Sequence, residues 1–202
     1  MHKKLLTACI LLTAFFSGIN VFAKTNGRQV YINNKKVEKK ATIRIGDGDV
    51  SLDLRKYPSG TTIKISNPKV IKKEYDGIGR YGKSWSLLGK IPGTTTVKIQ
   101  NKKKTLKKLT IKVRKPQIIS QKIHSGMKIR LKYAGNSSGF LNGKVTWIFI
   151  PVGNYGSAKK YAQTDDMTTT YLFTAGTYKI KAKIFGKTYQ LKNPVRVLYS
   201  DE

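Results

Sequence analysis

The sequence predicts an all-β chain, two antiparallel β-sandwiches in tandem after a cleaved leader. Three observations carry that expectation. Apolar residues recur at every second position in many short runs, and no segment keeps a helical period. Turn-forming Gly, Pro, Asn and Asp separate those runs. Hydrophobic residues make up 39% of the 202, with 11 Tyr and 7 Phe, which is enough to fill a packed core and excludes a disordered chain. The same composition excludes a collagen, a coiled coil, a multi-span membrane protein and a disulfide-built miniprotein.

Residues 1–23 stand apart from the fold. His2, Lys3 and Lys4 precede an apolar run from Leu5 to Val21 that closes on Val21-Phe22-Ala23. A positive end, an apolar middle and small residues before a cleavage point make a secretory signal peptide. Against an uncleaved anchor, Thr7, Thr13, Ser17, Gly18 and Asn20 dilute a run already short for a bilayer. Leu6-Thr7-Ala8-Cys9 resembles a lipoprotein box, with too few apolar residues ahead of Cys9. Cleavage removes the single cysteine, so the exported chain is expected to hold no disulfide, cysteine nucleophile or thiolate metal site. The expected location is secreted, periplasmic or at the cell surface.

Residues 24–38, with Val30-Tyr31-Ile32 ahead of Asn33-Asn34, read as an N-terminal extension or edge hairpin. The first sandwich is expected at 39–115. Its strands are Val50-Leu52-Leu54, Ile63-Ile65, Val97-Ile99 and Leu109-Ile111-Val113, parted by turns at Gly46-Asp47-Gly48-Asp49, Pro58-Ser59-Gly60, Asn67-Pro68 and Pro92-Gly93. At Lys115-Pro116 a strong strand ends, proline removes a backbone donor, and new strand signals begin at Ile118. The second sandwich, 116–202, is expected to use Ile129-Leu131-Tyr133, Val145-Trp147-Phe149, Tyr171-Phe173, Tyr178-Ile180-Ala182-Ile184 and Val195-Val197 as inward-facing rows.

Two stretches resemble known domains. Leu87-Leu88-Gly89-Lys90-Ile91-Pro92-Gly93-Thr94-Thr95-Thr96-Val97-Lys98-Ile99, followed by Leu109-Thr110-Ile111-Lys112-Val113, resembles the closing half of a group 2 bacterial immunoglobulin-like domain; the longer segment Lys72 to Ser84 departs from that pattern. Val145-Thr146-Trp147 with Thr174-Ala175-Gly176-Thr177-Tyr178-Lys179-Ile180 resembles immunoglobulin-like and polycystic-kidney-disease-type domains, without the acidic Gly-Asp-Gly turn usual in the latter. The resemblance implies a core Trp147 and a buried Tyr178 whose hydroxyl returns to nearby backbone, a tyrosine corner.

Charge is the chief functional signal. Forty Lys and Arg stand against ten Asp and Glu, a formal net charge of +30. Solubility alone can be met with both signs, so an excess this large points to an anionic partner. Residues 39–115 hold 21 basic and 5 acidic residues, 116–202 hold 13 and 4, and the excess is therefore concentrated in the first unit. Alternation places Lys128, Arg130 and Lys132, and Lys179, Lys181 and Lys183, on one face of their strands, while Lys98, Lys108, Lys112 and Arg114 extend the theme. Edge lysines that prevent sheet-to-sheet aggregation supply an alternative reading for any one row.

Two clusters stand out as polyanion-binding candidates. One is the basic hairpin with Lys102, Lys103, Lys104, Lys107 and Lys108. The other is a loop carrying Lys72, Lys73, Arg80 and Lys83 among Tyr75, Tyr81 and Trp85, where rings can stack on sugars or bases while cations meet acidic groups; an ordinary hairpin with Trp85 turned inward is the alternative. Tyr155 to Tyr161 is a weaker aromatic candidate. Gly77, Gly79 and Gly82 match a dinucleotide fingerprint by spacing alone and lack the strand and helix it needs.

No catalytic residue, cofactor or metal is expected. Asp47, Asp49 and Asp53 are close enough in sequence to suggest calcium, but a solvated turn fits better because no bidentate Glu follows. His124 has no nucleophile motif around it, Asp165-Asp166 reads as an exposed turn, and Asn136-Ser137-Ser138 is a glycosylation triplet of no consequence in a bacterium. The expected partner is an anionic polymer or cell-envelope component: acidic glycan, teichoic acid, lipopolysaccharide or nucleic acid. The alternative is an envelope assembly subunit that binds another protein by strand addition. A small hydrolase has the least support.

Overall fold

The computed structural model describes residues 27–47, 50–132, 145–153, 160–164 and 169–198. The leader, Asp49, Tyr133, the glycosylation triplet, Asp165-Asp166 and residues 155–159 of the weaker aromatic candidate lie outside these residues, as do the side chains of Lys160 and Tyr161. Within them the chain is all-β.

Nine strands form the first two sheets. They are β1 (Gln29–Ile32), β2 (Lys35–Val37), β3 (Lys40–Arg44), β4 (Val50–Arg55), β5 (Thr61–Ile65), β6 (Ile71–Gly79), β7 (Gly82–Gly89), β8 (Gly93–Asn101) and β9 (Lys104–Arg114). One sheet has the order β2-β1-β4-β7-β6, the other β3-β9-β8-β5. The alternating burial read from sequence appears in each: Val50, Leu52 and Leu54 point inward from β4, and Leu109, Ile111 and Val113 from β9. Fully burying each such side chain stabilises by about 1.5–3 kcal/mol. The β1–β2 hairpin turns on Asn33 and Asn34, both at positive φ (48° and 63°), a backbone state that Asn tolerates. It is an integral part of the sheet, because β1 pairs with β4.

The pairing is not wholly antiparallel. β3 runs parallel to β9, Lys40 opposite Thr110 through Arg44 opposite Arg114. Since β3 enters its sheet directly after β2 of the other sheet, no hairpin fixes its direction.

Eight strands follow Pro116: β10 (Ile118–Ile123), β11 (Gly126–Leu131), β12 (Val145–Pro151), β13 (Lys160–Thr164), β14 (Thr169–Leu172), β15 (Gly176–Ile184), β16 (Lys187–Gln190) and β17 (Val195–Val197). They form β10-β11-β14 and β13-β12-β15-β16, with β17 also on β15. Trp147 is fully buried, and Tyr178, 2% exposed, donates its hydroxyl to the Ala175 carbonyl at 3.3 Å. Gly176, at φ +136°, lets that ring pass close; a Cβ there would lie 3.3 Å from it.

One strand is inverted relative to the sequence expectation. Tyr171 and Phe173 face outward, 47% and 59% exposed, and Thr170 and Leu172 face the core. Three consecutive apolar residues leave the parity of this strand ambiguous, and its register, Ile129 opposite Thr170 and Met127 opposite Leu172, selects Leu172 as the inward residue.

Candidate functional site

The segment expected as an aromatic loop is a hairpin of β6 and β7 with a two-residue turn at Arg80-Tyr81. Gly82 makes the turn possible. It sits at φ +128°, and a Cβ there would lie 2.3 Å from the Leu54 carbonyl oxygen. A bulge between Tyr75 and Gly77 displaces Asp76, whose carboxylate accepts the Ser86 hydroxyl at 2.7 Å.

This geometry divides the predicted residues. Trp85 takes the inward alternative: it is 4% exposed, and Leu52, its β4 partner, faces the core beside it. Lys73 and Lys83 lie on the inner side of the hairpin and donate to backbone carbonyls of β5, Lys73 to Ile63 and Lys83 to Thr61 at 3.4 Å. Tyr81 stacks flat on Tyr31, with ring centroids 4.0 Å apart, and the Arg80 guanidinium lies 5.5 Å from the Tyr81 centroid. Lys72 pairs with Glu74. Tyr75 remains exposed, resting tilted on Trp85. Most of this cluster therefore fastens the hairpin.

The basic hairpin differs. Lys102, at φ +51°, forms the β8–β9 turn, and Lys102, Lys103, Lys104 and Lys108 are exposed. Lys107 instead reaches back to β2, donating to the Val37 carbonyl and the Glu38 carboxylate, both at 3.3 Å. Glu38 also pairs with Lys36 at 3.2 Å. The hydrogen bond from Lys36, aided by the charge of Lys107, holds the Glu38 carboxyl below its ordinary range.

Pairing brings together a surface that linear reading leaves dispersed. Lys64, Lys98 and Lys108 fall in one row across β5, β8 and β9. Adjacent strands put such neighbours about 4.8 Å apart. Along the same face lie Lys40, Thr42 and Arg44 of β3, Thr110, Lys112 and Arg114 of β9, and Thr94 and Thr96 of β8. None of the four strands contains an Asp or Glu. The period-two lysines of β9 are visible in sequence, but Lys64 and Lys40 join them only through register. In the second group, Lys179 and Lys183 are exposed and Lys181 is half-buried on one face of β15.

Among the described residues, no three His, Cys, Asp or Glu side chains gather as a metal site. The carboxylate of Asp47 accepts the Arg44 backbone N–H at 2.5 Å within a turn, Asp53 is buried in β4, and His124 is exposed in the β10–β11 turn.

No protein-family model and no curated protein matches the chain. Solved structures to which it is similar include the Yersinia pseudotuberculosis adhesin InvE, at 15% identity and TM-score 0.28, covering 86% of this chain and 59% of that one. The Escherichia coli adhesin FdeC gives 10% identity and TM-score 0.34 over 86% of this chain and 64% of its own. Domains 4 and 5 of the S-layer protein SbsC give 18% identity and TM-score 0.29 over 86% and 98%. The chain thus spans less than two thirds of either adhesin chain. Superposition at this level leaves function to be read from the chain's own surface.

Proposed function

We propose that the chain is an exported, non-catalytic protein that binds polyanionic material at the cell surface. In this reading residues 1–23 are a signal peptide, 39–115 a group 2-like bacterial immunoglobulin-like domain, and 116–202 an immunoglobulin-like or polycystic-kidney-disease-type domain. One observation carries it: the exposed face of β3-β9-β8-β5 presents lysine, arginine and threonine on strands that hold no acidic residue. Internal neutralisation cannot remove the excess, because ten carboxylates face forty cations. Exposed cations of this density attract phosphate, sulfate or carboxylate polymers and release their counterions on binding. Lys102, Lys103 and Lys104 extend the face at its hairpin end beyond Lys108, and Lys72, Arg80 and Tyr75 belong to the β6–β7 hairpin of the other sheet.

The test is affinity of the purified chain for teichoic acid, lipopolysaccharide, a sulfated glycan and single-stranded DNA across sodium chloride concentrations. Binding to at least one polymer that weakens steeply from about 50 to 200 mM salt is expected. Affinity insensitive to salt, or no binding at all, overturns the proposal.

A second reading rests on β6. This edge strand exposes Tyr75 at 58% and Ile78 at 84%, an open edge that another protein's strand can extend. A salt-resistant protein complex lost on Ile78→Lys supports it; retention of that complex in the variant counts against it.

A further inference from the structure

A shallow, solvent-open cleft of about 460 Å³ lies at one end of the cationic face, where β8 begins and β9 finishes. Pro92, Gly93 and Thr94 form one side, and Lys112, Arg114 and Lys115 the other. Register places Thr94 beside Lys112 and Arg114 beside Arg44. Arg44 is held in place, its Nη1 donating to the Gln117 Oε1 at 2.9 Å. The acid nearest in sequence, Asp47, is 5% exposed and its carboxylate accepts the Arg44 backbone N–H, inside the turn that follows β3.

Like charges on neighbouring strands oppose folding. Arg44, Lys112, Arg114 and Lys115 therefore sit together at a cost that a bound anion relieves. The donor types also differ in a useful way. A guanidinium offers a planar fork, an ammonium a point charge, and the Thr94 hydroxyl a single rotatable donor. A carboxylate is satisfied by the fork alone. A tetrahedral group with three or four free oxygens engages all three. Resting on the polyanion reading above, we propose that this cleft seats one tetrahedral oxyanion, a phosphate or sulfate group, and so serves as the anchoring point for a phosphorylated or sulfated polymer laid along the sheet.

The test is an amide chemical-shift titration of the full chain with sodium phosphate, sodium sulfate and sodium acetate at matched ionic strength. Saturable shifts at Gly93, Thr94, Val113 and Arg114 are expected with phosphate or sulfate, and none with acetate. Whichever tetrahedral ion binds more tightly identifies a chain bearing phosphate monoesters or one bearing sulfate monoesters, each with three free oxygens, as the source. Lys112 and Arg114 are exposed, so Lys112→Gln with Arg114→Gln is expected to fold, as the unchanged dispersion of the spectrum verifies, and to weaken ion binding at least about tenfold. Lys64→Gln with Lys98→Gln is expected to weaken polymer binding and leave the small-ion titration unchanged.

Non-saturable shifts, equal response to acetate, or unaltered ion binding in the Lys112/Arg114 variant overturns the cleft. If polymer binding persists in that case, the broader polyanion reading survives. If no polymer binds under any condition while the ion titration saturates, the broader reading fails by itself.

Discussion

Two tyrosine hydroxyls in the second group of strands have different surroundings. The Tyr178 hydroxyl donates to the Ala175 carbonyl, whereas the Tyr189 hydroxyl is buried and finds no hydrogen-bond partner among the described residues, and burial raises its pKa. Tyr178→Phe is expected to destabilise by about 1 kcal/mol through the lost bond, and Tyr189→Phe to be neutral or stabilising, since it removes an unpaired polar atom; urea unfolding of the two variants checks both. Glu38 adds a pH dependence. Its folded-state pKa lies below the ordinary 4.5, so its contribution is complete above the unfolded value and disappears as pH falls through the folded one. The melting temperatures of the wild type and Glu38→Gln are expected to differ at neutral pH and converge in acid below the carboxylate range. At this scale the sequence was most informative where chemistry was local. Trp147 and Tyr178 were legible from their neighbours, while the inward turn of Trp85 depended on pairing with Leu52.

Among elements, β4, β8, β9 and β15 could be read directly because apolar residues alternate along their buried stretches, and β12 because Val145, Trp147 and Phe149 keep the period although Ile148 and Ile150 lie between and beyond them. β6 could not, since after Ile71 its residues face solvent or lie along an edge, and its Gly and charged residues look like a loop. β14 could be located but not oriented. The cationic face required register, because Lys64 and Lys98 are far apart in sequence and opposite one another in the sheet. Register also yields a prediction at this scale. Lys98 has Lys64 on one side and Lys108 on the other, so Lys98→Glu replaces two repulsions with two attractions. Stability is expected to rise by roughly 0.2–1 kcal/mol per pair, while polymer affinity falls. Thermal unfolding and a binding isotherm on the same sample measure the two effects; a loss of stability contradicts the face geometry.

Across the whole molecule, a charge of +30 repels itself. Raising sodium chloride from about 10 to 150 mM shortens the screening length from about 30 to 8 Å and is expected to raise the melting temperature. The same change is expected to weaken polymer binding, so salt moves stability and affinity in opposite directions. Calorimetry across the series checks the first trend, and a flat melting temperature indicates that the cations are already compensated. Net charge was plain from composition; which surface gathers it was not, because strand order is a property of the assembled sheets.

The parallel pair described above also has a kinetic consequence. β3 docks along β9, with Lys40 opposite Thr110, so an early piece of chain must wait for a partner made much later. Closing so long a loop delays this step relative to the β8–β9 hairpin, whose strands meet across a short turn. Refolding is thus expected to begin at the hairpin and finish when β3 arrives, and a chain cut short before Lys104 leaves that strand without its dock.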